Sequence, residues 1–351
     1  GTSANVLIGS GGVLNLGGTL TYTATNNSNG ATISGAGTLN LNSARAFAVG
    51  DSTAASQDLT INSIIADGSA ASSINKTQAG TLVLGGNNTY SGGTTLTLGT
   101  LGVSHNSALG SGGLTLAGTV TLQAVANDVT LANAVSGTTI TLTISGTKNL
   151  TLNGGLTSTG DITLTNSIGA GKLLTIGSLN IGAGAAVPRT MIVNGAGDLA
   201  VTGAIANGAG ATATQNFSSR TTGTTTLSGN NTLTGITSVT TGTLVISSGS
   251  INTSSAVTVS GGKLKYDSST GLTRTVTVTG GATFAYNSSA DYTGTLTLTN
   301  GKLGGMNWNG AKLGGLTIGA DKTITPGNSV GTAATTTQTW ASSGSYDWEI
   351  N

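Results

Sequence analysis

The sequence predicts an all-β chain, most simply a right-handed parallel β-helix of roughly 15 rungs, and three observations carry that expectation. Of the 351 residues, 58 are glycine and 66 are threonine, while 7% are charged and 3% aromatic. Threonine is β-branched and suits a pleated surface, and glycine supplies turns, so the composition favours strands over helices. Apolar residues alternate with polar ones: Leu82 and Leu84, Leu96 and Leu98, Leu114 and Leu116, Leu150 and Leu152, Ile162 and Leu164, Val276 and Val278, Leu296 and Leu298. A period of two places such pairs on one face of a strand. The chain also repeats itself. Gly80, Asn87, Asn88, Gly99 and Leu101 answer to Gly223, Asn230, Asn231, Gly242 and Leu244, at a constant offset of 143, and self-similarity of this kind marks stacked units that cannot bury their apolar faces alone.

Taken in order, short alternating runs are expected as strands at Val13 to Leu16, Thr38 to Leu41, Leu59 to Ile61, Thr81 to Leu84, Val120 to Leu122 and Ile140 to Ile144. They continue at Leu173 to Ile176, Met191 to Val193, Leu199 to Val201, Val257 to Val259, Leu264 to Tyr266 and Leu316 to Ile318. Gly-Gly, Asn-Gly, Ser-Gly and Asn-Asn turns separate them. Only Pro188 and Pro326 interrupt the ladder. Residues 204 to 222 lose the alternation and read as a loop or lateral excursion, and 332 to 345 are similarly irregular. Trp340 and Trp348 flank the end of that second stretch and are placed to cover a terminal core. No linker divides the chain, so residues 1 to 351 are expected to form one continuous solenoid.

Composition also narrows the chemistry. With no cysteine, neither a disulfide framework nor a thiolate metal site is possible. A net charge of +1 from scattered single charges supplies no basic face for nucleic acid, and near-neutral proteins tend to associate. No apolar run is long enough for a membrane helix. Paired carboxylates, which acid and base catalysis needs, are missing: Asp51, Asp58, Asp67, Asp128, Asp161, Asp198, Asp267, Asp291 and Asp321 fall singly. Only Asp347 and Glu349 are close, and they read as a solvated strand edge. His105, the one histidine, sits in a polar turn without an adjacent acid. Lys263, Lys265 and Tyr266 beside Asp267, and Lys302 and Lys312 around Gly304 to Trp308, either contact a glycan or protein or blunt exposed strand edges. No catalytic, cofactor-binding or metal-binding residue is expected.

The segment from Lys76 to Val103, continuing through Ala108 to Leu116, carries Gly-Thr-Leu-Val-Leu, Asn-Thr-Tyr-Ser-Gly-Gly-Thr-Thr and Gly-Thr-Leu. It resembles the autotransporter-associated β-strand repeat, also called the passenger-associated transport repeat. The copy at 223 to 246 is weaker, with Leu233 for the tyrosine and Ile236 for a glycine. Residues 325 to 331 and 346 to 351 are similar to segments that close such passengers. The resemblance implies an exported bacterial surface protein, a non-catalytic stalk, fibre or adhesin-type passenger, possible self-association, and membrane attachment through a module outside this chain. A β-helical carbohydrate-active enzyme or glycan-binding module is the alternative, and Asp and Lys side chains gathered in one groove would favour it. Because the chain begins at Gly1 without a methionine or signal segment, it is expected to be a portion of something longer.

Overall fold

The computed structural model describes residues 4–25 and 28–303, and beyond them the backbone of four strands, Lys312–Ile318, Thr323–Ile324, Ala334–Trp340 and Ser345–Tyr346. The described residues contain strands and no helix. Every strand pairs in parallel with a strand of the next rung, and the result is a β-solenoid of about 13 turns, close to the number expected. The chain divides into two compact units, Gly1–Gly177 and Ser178–Asn351.

In the first unit a complete rung has three strands, as in Ala31–Ser34, Thr38–Asn40 and Arg45–Val49. The alternation read from the sequence points inwards. Leu59, Leu82, Leu101, Leu122 and Ile144 stand one above another on successive rungs, all buried. Thr119, Thr141 and Thr163 form one outward column, and Thr121, Thr143 and Thr165 the next. Each fully buried leucine or isoleucine contributes on the order of 1.5–3 kcal/mol, and stacking like on like keeps the column filled at every level.

The second unit begins with the same three-stranded pattern, in Arg189–Gly195, Asp198–Val201 and Ile205–Asn207. From Gln215–Ser219 onwards its rungs alternate between two sheets only. Phe217, Thr237, Val257, Val276 and Leu296 then share one inward column at intervals of 19 or 20 residues. Near its far end Tyr266, Phe284, Tyr286 and Tyr292 are wholly buried, with Tyr266 and Tyr286 stacked at a centroid distance of 5.4 Å and 11° between planes.

Two expectations are corrected. Residues 204 to 222 are no excursion: Ile205–Asn207 and Gln215–Ser219 are strands in the solenoid wall. Their alternation was hidden because Gln215 and Ser219 point inwards on either side of Phe217 and are buried like it. Leu98 does not join Leu96 in the core and is 47% exposed. It lies in a corner that turns at Gly99, whose φ is 80°, so the period of two does not carry through. Likewise the irregular stretch 332 to 345 contains the strand Ala334–Trp340. The proposed closing residues 325 to 331 and 347 to 351 lie outside the described residues, as do Gly304 to Trp308 and the side chains of Lys312, Trp340 and Trp348.

Candidate functional site

The residues singled out for chemistry do not converge. The exposed His105 accepts a hydrogen bond at Nδ1 from the Ser107 amide at 3.0 Å and shapes its own turn. Tyr266 is buried and donates to the Thr270 carbonyl, which leaves no ring face for a sugar. Lys263–Tyr266 is paired on both sides, with Thr243–Ile246 and Thr283–Tyr286, so its lysines guard no strand edge. Lys302–Leu303 is likewise flanked by a strand on each side. Lys265 instead reaches Asp267 at 2.6 Å. Asp347, Glu349 and Asp321 lie outside the described residues. Among the described residues no group of three histidine, aspartate or glutamate side chains is placed to hold a metal.

The aspartates are dispersed around the rungs and hold backbone from one turn to the next. Asp58 accepts the Ser52 and Thr81 amides, each at 2.7 Å. Asp67 accepts the Ser72 amide at 2.7 Å and both the amide and hydroxyl of Ser91 at 2.9 and 2.7 Å. Desolvation works against the Asp67 charge, but the bonds from Ser91 and Ser72 outweigh it and hold the carboxyl below its ordinary range. Asp128 accepts from the Asn149 amide and carboxamide at 2.8 Å, which lowers its pKa as well. Asp198 receives the Thr224 amide. These carboxylates work as clasps for unpaired amides at rung corners.

The organised constellation is the repeat itself. In the first copy Thr81–Leu84 stacks on Leu59–Ile61, and Thr94–Leu96 then stacks on Ile74–Thr77, so no strand is laid on the intervening Ile64–Ala66. An Asn-Asn turn crosses there instead. Asn88 Oδ1 accepts the Ile65 amide at 2.8 Å and the Thr89 amide donates to the Ile65 carbonyl at 2.8 Å. Asn88 Nδ2 donates to the Ala108 carbonyl of the next rung at 2.6 Å.

The second copy repeats this arrangement. Thr224–Leu227 stacks on Asp198–Val201, Ile236–Val239 stacks on Gln215–Ser219, and the intervening Ile205–Asn207 receives no strand. Asn231 Oδ1 accepts the Ile205 amide and Thr232 donates to the Ile205 carbonyl, both at 2.9 Å. Asn231 Nδ2 donates to the Gly229 and Ser250 carbonyls at 3.0 Å. The glycines before the two turns are needed for close approach: a Cβ on Gly86 would stand 2.4 Å from the Ser63 carbonyl oxygen, and one on Gly229 would stand 2.2 Å from that of Gly203. Both copies omit the side that follows their own first strand, and both shorten the rung to 19 residues, from Leu82 to Leu101 and from Thr225 to Leu244.

The geometry coincides with a named repeat. Residues 74–103 and 222–246 match the family model of the passenger-associated-transport-repeat. The turn that replaces a strand is therefore the centre of each passenger-associated-transport-repeat segment. Among curated proteins and solved structures nothing matches the chain.

One buried residue of this site escaped the sequence reading. Lys76, at the head of the first copy, is fully buried between Phe47 and Leu96 in an inward column. Its ammonium donates to the carbonyls of Thr77, Gln78 and Leu98 at 3.1, 2.8 and 3.0 Å. Desolvation lowers its pKa to about 8 against a smaller opposing pull from Asp58. At the equivalent position the second copy has Ser219, buried with no hydrogen-bond partner for its hydroxyl. The two asparagines were visible as a conserved spacing between copies, but their partners were not, since Ile65 and Ile205 lie more than twenty residues upstream.

Proposed function

We propose that the chain is a non-catalytic structural segment of an exported bacterial surface protein, acting as a stalk or adhesin-type passenger. The observation that carries this reading is the recurrence of the passenger repeat as one geometric module in two places. A parallel solenoid suits export because each rung finds its hydrogen-bond partners on the rung before it. The chain can gain order turn by turn as it emerges, with no distant strand to await. Dispersion of the carboxylates into backbone clasps favours this over a carbohydrate-active enzyme, whose acids would gather around one bond.

Self-association into fibres is the finer part of the proposal. In the second unit the outward face of one sheet carries Ser238, Thr258, Thr277 and Thr297 in one column and Thr240, Ser260, Thr279 and Thr299 in the next. A flat, uncharged hydroxyl and methyl surface sets up no repulsion between copies.

The test is to place the chain between a secretion signal and an outer-membrane barrel in a bacterial host. Full-length chain cleavable by protease added to intact cells is the expected result, and retention inside the envelope would overturn the export reading. Sedimentation of the purified chain over a wide concentration range tests the fibre reading separately. Rod-like assemblies are expected, and a single monomeric species throughout would remove it.

A further inference from the structure

The strands that the repeat leaves uncovered, Ile64–Ala66 and Ile205–Asn207, are the last of their sheets among the described residues. Such a terminal strand ordinarily offers unpaired amides and carbonyls to any other extended chain, and in a structure built wholly of parallel strands that other chain is a second copy of the same protein. Here the central pair of groups is already taken. The amide and carbonyl of Ile65 are both engaged by Asn88 and Thr89, and those of Ile205 by Asn231 and Thr232, with the four distances between 2.8 and 2.9 Å. Asn88 and Asn231 are themselves buried and their carboxamide nitrogens donate to carbonyls, so the caps are fixed from behind.

The geometry points to a specific role for these caps: Asn88 with Thr89, and Asn231 with Thr232, stand in for the missing strand and block strand addition by a second copy at each place where the solenoid drops a side. A short carboxamide turn does what a whole strand would otherwise do. In the second copy the cover extends by one more pair, since Asn207 Nδ2 donates to Thr234 Oγ1 at 2.8 Å. A purely space-filling turn would not need both hydrogen-bonding groups of the isoleucine satisfied in both copies, whereas a cap against a hydrogen-bonding intruder does. The role is independent of export and of any association through the threonine face.

The experiment compares Asn88→Ala with Asn88→Asp in the intact chain. Aspartate keeps the oxygen that accepts the Ile65 amide, and alanine removes it. Concentration-dependent association that binds an amyloid-sensitive dye is expected for the alanine variant and not for the aspartate variant. A folded Asn88→Ala chain with the association behaviour of the parent overturns the proposal, as does equal association of both variants. Should the alanine variant fail to fold, hydrogen exchange in the parent decides. Ile65 and Ile205 amides protected like that of Ile61 inside a sheet support the cap, and exchange at the rate of an open edge refutes it.

Discussion

In the copy at 74–103 the buried neighbours of the cap are well satisfied, whereas in the copy at 222–246 several are not. Tyr90 donates or accepts across 2.6 Å to Thr94, and its counterpart Leu233 fills the same buried site without a hydroxyl. The threonine left behind, Thr237, pairs with Ser254 at 2.8 Å instead. Lys76 bonds three carbonyls, while its counterpart Ser219 has no partner. Leu82 fills an apolar column, while its counterpart Thr225 buries an unpaired hydroxyl. Yet the asparagine bonds are the same to within about 0.1 Å at the capped isoleucine. The comparison teaches that the repeat is defined by its backbone corners and its asparagine cap, and that its core positions can drift.

The largest effect is expected at the corners. Gly99 and Gly242 have φ of 80° and 60°, and a Cβ would lie 2.6 Å from the Gln78 and Ala79 carbonyl oxygens in one and 2.2 Å from the Thr221 oxygen in the other. Gly99→Ala and Gly242→Ala should each cost about 2–6 kcal/mol, from backbone strain and overpacking together. Equal losses in denaturant unfolding confirm that the corner is common to both copies. A tolerated change in either would break the equivalence.

Next come the caps. Asn88→Ala and Asn231→Ala should each lose about 2–5 kcal/mol, because a buried amide and a buried carbonyl are left unpaired. The comparison is sharpened by measuring both, since closely similar losses are expected despite the different surroundings.

The third effect is in pH. Lys76 has a folded pKa of about 8 against an ordinary 10.5, so between those values the unfolded chain holds the extra proton. Stability therefore rises as pH goes from 8 towards 10, and Lys76→Met should flatten that rise. The buried tyrosines act oppositely. Desolvation raises the pKa of Tyr90, Tyr266 and Tyr292 above the ordinary 10.0, so above pH 10 the unfolded chain ionises first and stability falls. Unfolding midpoints measured from pH 7 to 11 should pass through a maximum.

The smallest effect distinguishes the copies most directly. Ser219→Ala and Thr225→Val remove buried hydroxyls without partners and should stabilise by about 1 kcal/mol each. Thermal melting that shows a loss would mean the hydroxyls are satisfied in solution.

Much of the fold was legible because a parallel solenoid uses local signals. Strict alternation in Leu82 to Leu84 or Leu296 to Leu298 marks an inward column without any knowledge of its neighbours. The stretch at Gln215 to Ser219 misled because its inward residues are polar, and Leu98 misled because a corner breaks the period. Lys76 looked like an ordinary surface lysine, since nothing in its own neighbourhood announces three carbonyls gathered from residues 77, 78 and 98.

By itself the sequence determined the strand class, the stacking, the absence of disulfide chemistry and the equivalence of two segments 143 residues apart, because these follow from residue type and spacing along the chain. Only the tertiary structure decided which side each copy omits, which amide each asparagine caps, and that Lys76 is enclosed while Tyr266 is out of a ligand's reach. Those depend on the register between rungs some 20 residues apart, where the partner of a side chain is set by how the preceding turn happened to close.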